Sequence, residues 1–216
     1  MSKLPRKLIV IKNQDKAWHE KWKSNQDPLD LPHPFRIIVS GKPNSGKTMC
    51  IKNIIVRQTA VFEKIIVVHN DYENTQEYTD LDDIEMVGTV PETEEFDGEC
   101  KTLIVLDDLE FGAMSKTEKK NLDRLFGYVS THLNCSCILT SQTFVRIPSI
   151  VRRCANFFIL WRCDDKDQMN LLSRRTNVDV KGLMDKHFDN SYDSLWIDNT
   201  DKTPYKIRKN GYELIS

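Results

Sequence analysis

Residues 41–48 read GKPNSGKT, which satisfies the pattern G-x-x-x-x-G-K-[ST]. Glycines at both ends let backbone N–H groups wrap around phosphate oxygens. The lysine, Lys47, reaches the β- and γ-phosphates, and the Thr48 hydroxyl is a ligand for Mg²⁺. The expected nucleotide-binding segment is Gly41, Lys42, Pro43, Asn44, Ser45, Gly46, Lys47, Thr48 and Met49. A surface turn of Gly, Pro, Asn and Ser is the plain alternative. The context opposes it, because an apolar strand precedes the motif and a helical pattern opens at Lys47.

Three further groups follow in chain order. TLIVLDD at 102–108 places a carboxylate at the end of a buried strand. Asp107 is the expected partner of Thr48 in holding the metal, through water. Asp108 is expected to orient and deprotonate an attacking water, which favours hydrolysis over transfer to a small acceptor. Gln142 closes CILTSQ; it either senses the γ-phosphate and the water or is a loop residue without a role. Arg146, Arg152 and Arg153 lie in RIPSIVRR, where an arginine can stabilise charge on a neighbour's γ-phosphoryl group, contact DNA or simply face solvent.

Elements that position these groups are legible around them. Five nearly continuous apolar runs, 36–40, 65–69, 103–107, 137–141 and 157–161, read as strands covered on both faces. Helical patterns run from Lys47 to about Ala60 and over Ser115–Asn134. In the second, Ser115 and Glu118 form a capping-box signature, followed by Leu122, Leu125, Phe126, Val129 and Leu133 at helical spacing. Alternating strands and helices predict a three-layer α/β fold around a central, mainly parallel sheet. Beyond the fifth run, 166–175 and 180–188 read as helices. Residues 194–198 and 205–208 read as a hairpin around Asn199–Pro204. One domain is expected: an N-terminal arm over 1–30 with a helix at 15–25 carrying Trp18 and Trp22, a nucleotide-binding core over 31–163, and C-terminal helices and hairpin over 164–216.

Composition narrows the class. The chain has 216 residues, 39% hydrophobic and 29% charged, which excludes collagen-like, disulfide-framework and long low-complexity chains. No run approaches the ~20 apolar residues of a membrane helix, and the apolar part of the N-terminus is too short for a secretory signal. Six cysteines without metal-ligand spacing read as reduced thiols. The formal charge of −1 hides an uneven distribution. Residues 71–99 hold twelve acids and no Lys or Arg, and the remainder carries +11. The acidic window reads as a solvated loop and helix face, or as a lobe that docks a basic partner surface or keeps nucleic acid on one side. Basic groups at Lys116, Lys119, Lys120 and Arg124, and at Lys202, Lys206, Arg208 and Lys209, are candidates for DNA phosphates or for ordinary solvated faces.

The ordered set GKPNSGKT, TLIVLDD, HLNCSCILTSQ and IPSIVRRCANFFIL resembles the poxvirus-type viral genome-packaging ATPases of the FtsK–HerA superfamily, over about residues 31–207. The resemblance implies a RecA-like core with strand order 5-1-4-3-2, and ATP and Mg²⁺ as cofactors. It also implies a ring homo-oligomer, a pentamer or hexamer, that drives double-stranded DNA into a preformed capsid, with a capsid protein as partner and the host cytoplasm or the virion as location. By position, Lys47 and Thr48 match the phosphate-loop pair, Asp107 the metal-linked acid, Gln142 the polar sensor and Arg152 the arginine acting across a subunit interface. His132 matches a frequent histidine before the fourth strand. Two positions depart from the pattern: Asp108 stands where Glu is common, and Thr131 stands where Arg often precedes the histidine. A related DNA translocase or helicase-like ATPase of a mobile element, or a nucleotide-gated assembly factor, shares most of these features.

Overall fold

The computed structural model describes residues 31, 33–58, 62–200 and 207–215. The expected helix at 15–25, Trp18 and Trp22, Lys202 and Lys206 lie outside the described residues. So do positions 201–204 of the expected turn.

Five strands form the centre, and all are parallel: β1 (Arg36–Ser40), β2 (Lys64–His69), β4 (Thr102–Asp107), β5 (Cys135–Ser141) and β6 (Phe157–Trp161). Their residues are buried on both sides because helices cover both faces, which is why the runs are apolar without alternation. In space they stand β6-β1-β5-β4-β2, the expected order 5-1-4-3-2. The sheet extends further at both edges. β3 (Glu85–Val87) adds a short parallel strand beside β2. Beyond β6, β7 (Ser194–Asp198), β8 (Ile207–Lys209) and β9 (Glu213–Leu214) run antiparallel and bring the sheet to nine strands among the described residues.

Alternate residues of the central strands feed two cores. Ile37, Val39, Leu103, Val105 and Ile138 face α1 (Lys47–Gln58), which contributes Ile51, Ile54 and Ile55. Ile38, Ile104, Leu106, Cys137 and Leu139 face the opposite layer of helices. That layer holds α2 (Lys116–Arg124), α3 (Ser149–Cys154), α4 (Lys166–Thr176) and α5 (Val180–His187). The capping box forms: Ser115 Oγ accepts from the Glu118 N–H at 3.1 Å, and the Glu118 carboxylate accepts from the Ser115 N–H at 2.9 Å. The helix does not run unbroken to Asn134. A π-helical turn at Leu125–Val129 follows α2, and a final turn ends at His132. Leu125, Phe126 and Val129 of this wider turn all enter the core.

The C-terminal strands correct one expectation. Arg208 and Lys209 do not offer themselves to solvent as a phosphate-binding face. Arg208 is buried, with its guanidinium 5.7 Å from the Trp196 ring and 5.8 Å from the Phe157 ring. Lys209 is buried beside Asp189 and 3.3 Å from Asp193. Asp193 is itself the hub of the turn before β7. Its carboxylate accepts from the N–H groups of Asp189 and Asn190, at 2.8 and 3.1 Å, and from the Asn210 amide at 2.9 Å. Burial pushes this carboxyl up, but those hydrogen bonds and Lys209 outweigh it and bring it down to about 2.

A depressed native value means that Asp193 stabilises the fold fully above the ordinary carboxylate range and loses that contribution as pH falls through about 2. Asp193→Asn is expected to lower stability near neutrality by about 1–3 kcal/mol. It should also flatten the dependence of Tm on pH below about 4. Thermal melts of both proteins from pH 7 to pH 2 check this; an unchanged acid limb in the variant contradicts it.

Candidate functional site

Five parallel strands bring all their carboxyl ends to one edge of the sheet, and the chemistry-bearing loops gather there. The glycine-rich loop follows β1. Its first glycine has no room for a side chain: a Cβ on Gly41 would sit 2.7 Å from Ser45 Oγ and 3.0 Å from Trp161 Cβ. At the second, Gly46, the backbone takes φ +98°, and Asn44 is also left-handed at φ 59°. α1 then begins at Lys47, so the unpaired N–H groups of its first turn face the loop. The Lys47 ammonium donates to the Lys42 carbonyl oxygen at 3.0 Å. Burial pulls its pKa down, while nearby Asp108, Asp107 and Glu77 pull it up. Lys42 turns outward and pairs with Asp164.

At the end of β4, Asp107 is only 4% exposed, and both of its oxygens are engaged. Thr140 Oγ1 donates to Oδ1 and the Tyr78 hydroxyl donates to Oδ2, each at 2.6 Å. Tyr78 is 2% exposed, and its hydroxyl is held strongly in the protonated form by burial and by this carboxylate. The Asp108 N–H donates to the same Thr140 Oγ1 at 2.8 Å, so one hydroxyl serves both acids. Asp108 adopts a left-handed backbone at φ 49°, and its carboxylate accepts from Gln142 Nε2 at 3.3 Å.

These groups share a cleft of about 440 Å³. Of the residues expected from sequence, Pro43, Asn44, Gly46, Lys47, Thr48, Met49, Asp107, Asp108 and Gln142 line it. Gly41 and Ser45 are buried beneath it, the Ser45 hydroxyl without a hydrogen-bond partner. Arg146 lines an adjoining cleft of about 710 Å³ that also reaches Asp108 and Gln142. Arg152 lines neither. It lies with its guanidinium 5.8 Å from the Phe144 ring, and burial followed by repulsion from Arg175 lowers its pKa. Arg153 is exposed on α3. His132 stacks on Tyr128 at 4.7 Å, a contact at a helix end and away from the cleft.

Sequence reasoning missed Thr140, Tyr78, Glu77, His69 and Tyr192. Thr140 carried a signal, as a polar residue in an apolar strand whose register sets Leu139 beside Leu106. Glu77 lines the cleft with its carboxylate 3.5 Å from the Thr48 hydroxyl, and it comes from the acidic window. That window is therefore more than a solvated loop. All twelve carboxylates are exposed, yet Tyr78, Val90 and Phe96 are buried and pin it to the sheet.

Residues 74–187, more than half of the chain, match the family of the Poxvirus A32 protein. The chain belongs to the poxvirus A32 family. The matched span begins inside the acidic window and includes Asp107, Asp108, Gln142 and the arginine run, but not the glycine-rich loop. No curated protein matches the chain. Among solved structures, the fold is similar to that of B204, the DNA-packaging ATPase of Sulfolobus turreted icosahedral virus. The TM-score is 0.62 at 15% identity, covering 82% of this chain and 98% of that one. The genome-packaging NTPase B204 of Sulfolobus turreted icosahedral virus 2, in complex with AMPPCP, is similar at TM-score 0.58 and 14% identity, over 82% and 97%. The pCW3 conjugation coupling protein TcpA, with ATPγS, follows at 0.53 and 16%, over 80% of this chain and 59% of that one. The fold of this A32-family chain is thus that of RecA-like P-loop NTPases.

The double duty of Thr140 in this family member has a measurable consequence. Thr140→Val deletes a bond to each acid, whereas Tyr78→Phe deletes one bond to Asp107. Tyr78→Phe is expected to cost about 1–2 kcal/mol and Thr140→Val about 2–4 kcal/mol. Chemical denaturation of the two variants checks the ranking; equal losses contradict it.

Proposed function

We propose that the chain is an ATP-hydrolysing motor that translocates double-stranded DNA into a preformed viral capsid. One observation carries this reading: a glycine-rich loop, two consecutive acids and a strand-end glutamine meet in one cleft of an A32-family chain. ATP's triphosphate would lie along residues 41–49, held by backbone N–H groups, the start of α1 and Lys47.

The residues present fit Mg²⁺. Thr48 and Asp107 offer hard oxygen donors to the same cleft, and among the described residues no group of three or more His, Cys, Asp or Glu is arranged to hold a metal. That combination suits a cation carried in with phosphates and water, with few protein ligands. Mg²⁺ would supply neutralisation of charge on the β- and γ-phosphate oxygens.

The protein's own groups divide the remaining work. Thr140 and Tyr78 hold the Asp107 carboxylate still, and the strand end fixes its height above the sheet. Asp108, oriented by Thr140 and Gln142, takes the proton of the attacking water. Gln142 links that carboxylate to the loop that leads to Arg146, so loss of the γ-phosphate changes a contact on the path to the arginine run. Arg152 is assigned the neighbour's γ-phosphate in a pentameric or hexameric ring, in keeping with its place outside its own cleft. Exposed Lys116, Lys119, Lys120 and Arg124 on one face of α2 offer charge to DNA phosphates without reading bases, as a motor indifferent to sequence requires. Among the described residues no helix is long and apolar enough to cross a membrane. A capsid protein is the proposed docking partner, and the host cytoplasm the proposed location.

Lys47→Ala and Asp108→Ala are each expected to reduce DNA-stimulated ATP hydrolysis by at least about 100-fold, on the scale of losing one transition-state contact. Steady-state phosphate release measures this, and normal turnover in Lys47→Ala refutes the motor. Mixing Lys47→Ala with Arg152→Ala subunits is expected to restore part of the activity in mixed rings. No recovery in rings verified as mixed removes Arg152 from that role.

A further inference from the structure

The cleft at the phosphate loop has a second kind of wall. Most of its lining is polar or charged, as a polyphosphate requires, but Tyr192 and Met49 are 69% and 61% exposed and face the same space. Tyr192 belongs to the turn between α5 and β7, far in sequence from every motif. Exposure alone does not set this ring apart, since Tyr212 is more exposed still; what does is that Tyr192 lines the cleft at the phosphate loop and sits on a fixed turn.

The turn that carries this ring is unusually well fixed. Asp193, the next residue, gathers the N–H groups of Asp189 and Asn190, the Asn210 amide and the Lys209 ammonium. The Tyr192 N–H donates to Asn190 Oδ1 at 2.8 Å. Its carbonyl oxygen accepts from the Trp161 indole N–H at 3.1 Å. Trp161 is also the side chain against which Gly41 packs, at the first residue of the phosphate loop. One buried tryptophan therefore sets the height of the phosphate loop and the position of the Tyr192 backbone together. An ordinary surface tyrosine has no need of such anchoring, whereas a preformed stacking surface does, because ordering it beforehand spares that cost on binding.

We propose that Tyr192 is the platform on which the base of the bound nucleotide stacks, with Met49 on the same apolar wall. This rests on the reading of residues 41–49 as the triphosphate site, which it extends to the other end of the ligand. Recognition through the face of the ring takes any flat base and favours the larger purines, since stacking needs a π-surface and not an edge pattern.

The experiment measures binding by calorimetry to the full chain with two probes, ATPγS and inorganic tripolyphosphate, for wild type, Tyr192→Ala, Tyr192→Phe and Lys47→Ala. Tyr192→Ala is expected to weaken ATPγS binding about tenfold, the scale of one lost base stack. Tripolyphosphate binding should be unchanged, and Tyr192→Phe should bind both probes as wild type does. Lys47→Ala should weaken both. Unchanged ATPγS affinity in Tyr192→Ala overturns the platform. So does an equal loss of both probes, which marks a damaged loop, or a loss in Tyr192→Phe, which marks a role for the hydroxyl. Wild-type protein that binds neither probe refutes the nucleotide site itself, a failure distinct from that of Tyr192.

Discussion

A carboxylate removed from water must be hydrogen-bonded, and Asp107 is the place where that rule organises the molecule. It ends a strand whose residues are all buried, and at 4% exposure little of it is open to solvent. One oxygen is met by Thr140 from the neighbouring strand, the other by Tyr78 from a loop 29 residues upstream. Satisfying this single group ties three distant pieces of chain together: the centre of the sheet, the strand leading to Gln142, and the acidic window. Asp108 inherits its orientation from the same threonine. The geometry of the cleft follows from keeping one buried acid content.

The sheet supplies the other half of the arrangement. Parallel strands deliver their carboxyl ends to one edge, so groups that are scattered along the chain become neighbours without long connecting loops. The antiparallel strands beyond β6 serve a different purpose. They bury Arg208 and Lys209 in a network of rings and carboxylates and brace the edge of the sheet beside the phosphate loop through Trp161. The glycine-rich loop and the C-terminal turn that carries Tyr192 meet at that tryptophan.

What the sequence disclosed depended on how local each signal was. Central strands are continuous apolar runs, and the phosphate loop and Asp107–Asp108 are contiguous words, so all were legible; the order of the five strands came from the family resemblance and not from any local pattern. Ser115 and Glu118 announced the start of α2 for the same reason, since a cap is made within four residues. The π turn was hidden because Leu125, Phe126 and Val129 also satisfy an ordinary helical stripe. β3 was hidden because three half-exposed residues in an acidic window carry no strand pattern. Tyr78, Glu77 and Tyr192 could not be found from spacing at all. Their positions are set by loops that fold back over the sheet, and nothing near them in sequence marks the destination. The charge of Arg208 and Lys209 misled for a related reason: a basic residue on a hairpin looks solvated until its aromatic and acidic neighbours are known.

Among the described residues the nine-stranded sheet ends in short strands, three residues of β3 on one side and two of β9 on the other. A long bare strand edge is a template on which a second sheet can grow, and high local concentration makes that hazard worse. Here the templates are too short to seed a continuous ladder, and the β3 side is surrounded by carboxylates that repel their own kind. Among the described residues, neither edge therefore offers a long strand on which another copy's sheet could grow.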